Sequence, residues 1–159
     1  MTRLYGWGEK SKRVEDYVPD VRFERSSIIA TLGTDGINAP LAYRGTLNGD
    51  LFRAYVEQVL APTLKKGDVI VMDNYSVHKM TGILDPIYAK GAQVLFLPPY
   101  SPDLNPIEMA WSKMKAILRK LKPRTHEDMQ NSLKTALEAI TKTDIKNWFA
   151  SDGYFLSPM

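Results

Sequence analysis

Two carboxylates set the question this sequence poses. Asp73 closes an apolar run, Val69-Ile70-Val71-Met72, that Asp68 opens; Glu108 sits just inside a helix start, Asn105-Pro106-Ile107-Glu108. Thirty-four residues intervene. One acid at a strand end and another in the first turn of a helix can hold a divalent metal between them. A hard cation such as Mg²⁺ takes oxygen ligands and keeps several waters, so a few carboxylates suffice. Two such ions activate a water or a 3′-hydroxyl and stabilise the leaving oxygen of a phosphodiester. Each acid also has a plain structural use. Asp-Asn often bonds the amides of its own turn. Asn105-x-x-Glu108 matches a capping box, in which Glu bonds back to the cap amide. His78 reads as a packed or hydrogen-bonding residue rather than a ligand.

The elements that position the pair follow from pattern. Residues 69–72 suit a strand buried on both faces of a parallel sheet. A helix over about 80–90 ends at Gly91, and 92–97 forms the next strand. That alternation argues for a right-handed crossover and a parallel pair, whose sites gather at the strands' carboxyl ends. The stretch 96–111 then reads as the end of that strand, a Pro-stiffened loop and a sharp helix start. Asn105 is a suitable N-cap, Pro106 the first helical residue and Glu108 the third. The helix runs to about 121, with Ile107, Trp111, Met114, Leu118 and Leu121 as its apolar stripe. Lys115 and Arg119 share the side of Glu108 at about 100° per residue, where a phosphate backbone would pass; the alternative is an ordinary solvated face.

Upstream, 26–34 reads as a strand, Asp35-Gly36 as a two-residue turn and 37–43 as the partner strand. Asn48 or Thr46 caps a helix over roughly 49–64, with Leu51, Phe52, Tyr55, Val56, Val59 and Leu60 at helical spacing. Downstream come helices over 125–140, capped by Thr125-His126-Glu127-Asp128, and 144–150, then a Gly153-Tyr154 tail. Residues 1–25 read as loop, with Arg3, Lys12 and Arg13 among Tyr5, Trp7, Tyr17 and Phe23. Basic residues among aromatics grip phosphates and stack on bases; a solvated loop explains them equally.

The totals narrow the class. At 159 residues the chain is most simply one domain. Its 44% hydrophobic and 25% charged residues are ordinary for a globular protein. With no cysteine there is no disulfide framework and no thiolate metal site. Apolar runs are strand-length, far short of a membrane span, and residues 1–7 hold no apolar signal core. A formal charge of +3 permits nucleic-acid binding without demanding it.

Two blocks carry a resemblance: Met72-Asp73-Asn74-Tyr75-Ser76-Val77-His78, and Leu97-Pro98-Pro99-Tyr100-Ser101-Pro102-Asp103-Leu104-Asn105-Pro106-Ile107-Glu108. Together they resemble the IS630 branch of the IS630/Tc1/mariner transposases, and the interval between the acids matches that superfamily's DD34E arrangement. The resemblance implies an α/β fold, an RNase H-like mixed sheet with flanking helices. It implies cleavage of transposon-end DNA and joining to a target with Mg²⁺ or Mn²⁺, by a homodimer in the cytoplasm at the nucleoid. Asp73 matches the second catalytic acid and Glu108 the third, both as metal ligands; Arg3, Lys12, Arg13, Lys115 and Arg119 become DNA contacts.

One departure matters. The family's first acid lies on the first strand, in an Asp-Glu-Ser-like sequence upstream of the Met-Thr-Arg-x-Tyr-Gly-Trp region in which this sequence opens. Asp16 and Asp20 come too late for that position, and Asp35 belongs to the hairpin. The expectation is therefore a single domain over 1–159, N-terminally truncated, without a helix-turn-helix region or the first, central strand. By the family's topology that strand lies between the hairpin and the 69–73 strand, so two edges would be left unpaired. The rival reading is a non-catalytic remnant that at most binds DNA or a transposase partner.

Overall fold

The computed structural model describes residues 7–15 and 26–154. A β-hairpin opens the second stretch: β1, Ser26–Leu32, pairs antiparallel with β2, Ile37–Arg44. The turn is one residue earlier than Asp-Gly suggests. Gly33 and Gly36 exchange backbone bonds at 2.8 and 3.4 Å, leaving Thr34-Asp35 at the tip. Asp35 accepts from Asn38 Nδ2 at 3.0 Å, a turn role. Register shifts between Ile29 and Thr31, opposite Ala39-Pro40. Ala39 has φ 50°, and Pro40 offers no ladder donor, so β2 bulges there.

Asn48 caps the next helix, accepting from Leu51 N at 2.8 Å. The single helix expected over 49–64 is instead three segments. These are α1, Gly49–Tyr55, a π turn, Val56–Leu60, and a 3₁₀ turn, Ala61–Thr63. Pro62 has no N–H for the ladder, so the spacing widens and then tightens ahead of it. The helix expected over 80–90 is likewise shorter. A 3₁₀ turn, Ser76–Lys79, comes first, and α2 covers only Asp85–Ala89. Gly82, at φ 73°, reverses the chain between them.

β3, Val69–Met72, and β4, Gln93–Phe96, are parallel as expected, in register from Val69↔Gln93 to Met72↔Phe96. They are not buried on both faces. Ile70, Met72, Val94 and Phe96 pack on the core of Phe52, Tyr55, Val56, Leu60, Ile83 and Ile87. On the other face Val69 and Leu95 are 57% and 56% exposed.

The helix carrying Glu108 is α3, Ile107–Leu121, which packs against α4, His126–Glu138. Ala110, Met114 and Leu118 are its buried line; Leu121, expected in the stripe, is 45% exposed because the helix ends at left-handed Lys122. Thr125 caps α4 in a capping box with Asp128. α5, Lys142–Ser151, begins earlier than expected because Thr141 and Asp144 form a second such box.

Among the described residues β1 pairs only with β2 and β3 only with β4. Between these two-stranded sheets lies a cavity of about 340 Å³, lined by residues 28–32 of the hairpin and 69–73 around β3. Tyr55 lines the same cavity, and its buried hydroxyl has no hydrogen-bond partner among the described residues. Burial pushes that phenol well up. An unsatisfied buried hydroxyl costs about 1–3 kcal/mol. Tyr55→Phe is thus expected to stabilise this chain by about 1 kcal/mol in urea unfolding; a loss of stability would mean the hydroxyl is satisfied in solution.

Candidate metal centre

The parallel pair places Asp73 immediately after β3, at its carboxyl end. Leu97 N donates to Met72 O at 2.8 Å, and Asn74 Nδ2 donates to Leu97 O, stitching the two strand ends together. Asp73 Oδ1 accepts from Tyr75 N at 3.0 Å, so the expected Asx-type bond is present. The same oxygen lies 3.0 Å from His78 Nδ1. His78 is packed, with its ring 4.6 Å from Phe52 and edge-on to Tyr75.

Glu108 stands differently from the sequence expectation. No capping box forms at Asn105, and no side chain caps α3; Pro106 precedes its first residue. The reason lies in the loop. Pro102–Leu104 makes a 3₁₀ turn that takes the Asn105 N–H onto Pro102 O at 3.1 Å. Glu108 therefore has no cap amide to bond back to. Its own N–H donates to Asn105 O at 2.9 Å, and its side chain is exposed.

Asp73 and Glu108 line the same cavity, with Ile107 and Trp111 of α3 beside them. Among the described residues no group of three or more His, Cys, Asp or Glu side chains is placed to hold a metal. The arrangement offers two carboxylates. Their hard oxygens, one side chain uncommitted and the other bonded through a single oxygen, fit part of a magnesium shell that waters complete.

The basic candidates lie elsewhere. Lys115 and Arg119 are exposed on α3 and do not line the cavity. Lys12 pairs with Glu9 on an exposed turn, Arg13 is exposed beside it, and Arg3 lies outside the described residues. Pattern reading missed the end of the chain. Phe149 and Tyr154 also line the cavity, and Tyr154 Oη donates to Leu104 O at 2.8 Å. That bond braces the loop leading into Glu108. Burial pushes the Tyr154 phenol up; burial and then Asp103 push the neighbouring Asp152 carboxyl up. A lone Tyr three positions past a helix gives no periodic signal of this contact.

Comparison with known proteins decides the family. The family model described as DDE superfamily endonuclease matches residues 1–130. The chain belongs to that family. This endonuclease domain is also similar in structure to the Mos1 strand transfer complex, with TM-score 0.70 at 17% identity over 98% of this chain and 52% of that one. The catalytic domain of Mos1 mariner transposase gives 0.66 at 16% identity, over 89% of this chain and 81% of that one. A simian T-cell lymphotropic virus intasome chain gives 0.52 at 14%, over 84% and 55%. No curated protein matches. The DDE endonuclease domain therefore has the RNase H-like mixed α/β fold, and it spans about half the length of the chains in the Mos1 complexes. DDE endonucleases use divalent metal ions, which suits the donor set of Asp73 and Glu108. Among the described residues no helix is long and apolar enough to cross a membrane.

Proposed function

We propose that this domain is the catalytic part of an IS630-type transposase, cleaving transposon-end DNA and joining it to a target as a homodimer. Asp73 and Glu108 are the carboxylates that hold Mg²⁺ or Mn²⁺. The observation that carries this reading is that two acids with 34 residues between them line one cavity of an RNase H-like fold in a DDE family member. A divalent ion bound there supplies Lewis-acid activation of the attacking oxygen and stabilises the leaving one. Lys115 and Arg119 lie further along the helix that carries Glu108, exposed, where they would position a phosphate backbone without reading sequence. Lys12 and Arg13 would add similar contacts from the N-terminal turn.

The third carboxylate, in this reading, arrives on an apolar strand N-terminal to the described hairpin, pairing between β1 and β3. Among the described residues, the unpaired edges of β1 and β3 and the unpartnered Tyr55 hydroxyl that line the cavity support it. Mg²⁺-dependent nicking of transposon-end DNA is expected from the protein in which such an Asp-bearing strand pairs between β1 and β3. Nicking that survives Asp73→Ala would overturn the assignment.

A further inference from the structure

The His78 ring shares the cavity with both acids. Its side chain is 17% exposed, against 56% for Asp73, so it approaches the carboxylate from the protein side. Three features fix the ring. Its backbone N–H donates to Tyr75 O at 2.9 Å, closing a tight turn. Phe52 of α1 lies under it at 4.6 Å with the planes 37° apart. Tyr75 meets it edge-on, at 5.7 Å and 84°. In that pose Nδ1 is 3.0 Å from Asp73 Oδ1 and 3.5 Å from the Asp73 carbonyl.

We propose that His78 is a positioning residue for Asp73: its Nδ1–H and the Tyr75 amide together hold Oδ1, which turns Oδ2 toward the cavity for a metal ion. This rests on Asp73 being a metal ligand. The physical need is clear. A carboxylate's terminal torsion is broad and roughly two-fold, so an unheld Asp presents either oxygen over a wide arc. Two donors on one oxygen remove that freedom before the metal arrives, and the atoms that hold a ligand matter nearly as much as the ligand itself. The contact runs through Nδ1, the nitrogen that faces Asp73, so the ring acts on the carboxylate from outside the metal shell in this proposal. A merely packed histidine would need the Phe52 stack alone and no particular tautomer.

Four proteins test this: wild type, Asp73→Asn, His78→Phe and His78→Asn. Phe keeps a ring on Phe52 without a donor; Asn places an N–H near the position of Nδ1. Long-range ¹⁵N–¹H spectra of wild type above pH 8, where free imidazole is neutral, are expected to put the His78 proton on Nδ1; a proton on Nε2 overturns the proposal. Mn²⁺ affinity is read from paramagnetic broadening of amides around Asp73. His78→Phe is expected to weaken it about tenfold, and His78→Asn to recover most of the loss. Unfolding midpoints in chelator should not follow that order. If His78→Phe binds Mn²⁺ like wild type while Asp73→Asn does not, the positioning role fails and the metal site stands. If Asp73→Asn is without effect, or wild type shows no localised broadening, the metal reading fails and the positioning role with it.

Discussion

In the protein that carries an Asp-bearing strand between β1 and β3, Glu108→Gln is expected to lower metal-dependent cleavage by more than about 100-fold, the upper range for removing even an outer-shell partner of a metal, and to abolish Mn²⁺ binding at the cavity. The same change should leave unfolding free energy within about 0.5 kcal/mol of wild type. The contrast comes from what Glu108 does not do. A carboxylate in the first turn of a helix often serves it through a cap bond; facing the positive end of the macrodipole, as Glu108 does, is worth only about 0.3–1 kcal/mol for an exposed charge at low salt. Here the Asn105 amide is already bonded to Pro102, and Glu108 is exposed with no side-chain cap bond on its helix. Gln keeps the size, the rotamers and the helix propensity while removing the charge that a hard cation needs. Measured together, urea unfolding and DNA nicking separate the two roles. A destabilisation of 1 kcal/mol or more, at the scale of a lost N-cap, would restore the capping explanation. Cleavage unchanged by the substitution would remove Glu108 from the site.

What the sequence disclosed and what it concealed divide by the range of the interaction. The parallel pair was legible because β3 and β4 are short apolar runs separated by helix-forming residues. Asp73 at the end of β3 follows too. The capping box at Glu108 was misread because local propensity at Asn105 and Pro106 was outweighed by the 3₁₀ turn just before them, which claimed the amide. The long second helix failed for a similar reason: Gly82 takes a left-handed conformation where the pattern alone allowed a continuous helix. Thr125 was easier, because its capping box is complete within four residues; the equally local box of Thr141 and Asp144 was not read, and the last helix was expected to start too late. His78 was read correctly as a packed, hydrogen-bonding residue, but its partners, and those of Tyr154, lay beyond reach. Their roles rest on contacts to Asp73 and Leu104 whose angles no spacing rule supplies, and Tyr154 bonds a residue 50 positions away.

The second large effect concerns the scaffold under Glu108. Asp144 Oδ2 accepts from Lys113 Nζ at 2.6 Å, from Thr141 Oγ1 at 2.6 Å and from Thr141 N at 2.8 Å. One carboxylate thus caps α5 and ties it to α3, the helix that presents Glu108. Asp144→Ala removes half of the capping box, about 1 kcal/mol, and a charge-assisted bond between partly buried side chains, about another. The expected loss is about 2 kcal/mol, or about 4–8 °C in Tm for a domain of this size. The pH dependence has a defined sign. Lys113, then Thr141, hold the Asp144 carboxyl down to about 2. A depressed folded pKa stabilises above the ordinary carboxylate value near 4 and loses that contribution as pH falls through the folded one. The gap between wild type and Asp144→Ala should therefore be constant from pH 7 to about 4 and close between about 4 and 2. Asp152 works in the opposite sense: burial, then Asp103, raise its carboxyl, so its contribution is present at low pH and lost as pH rises through the raised value. Asp152→Asn should consequently stabilise the domain at pH 7 and not at pH 3. If the Asp144→Ala gap instead widened on acidification, Lys113 would not be the partner that holds this carboxylate ionised.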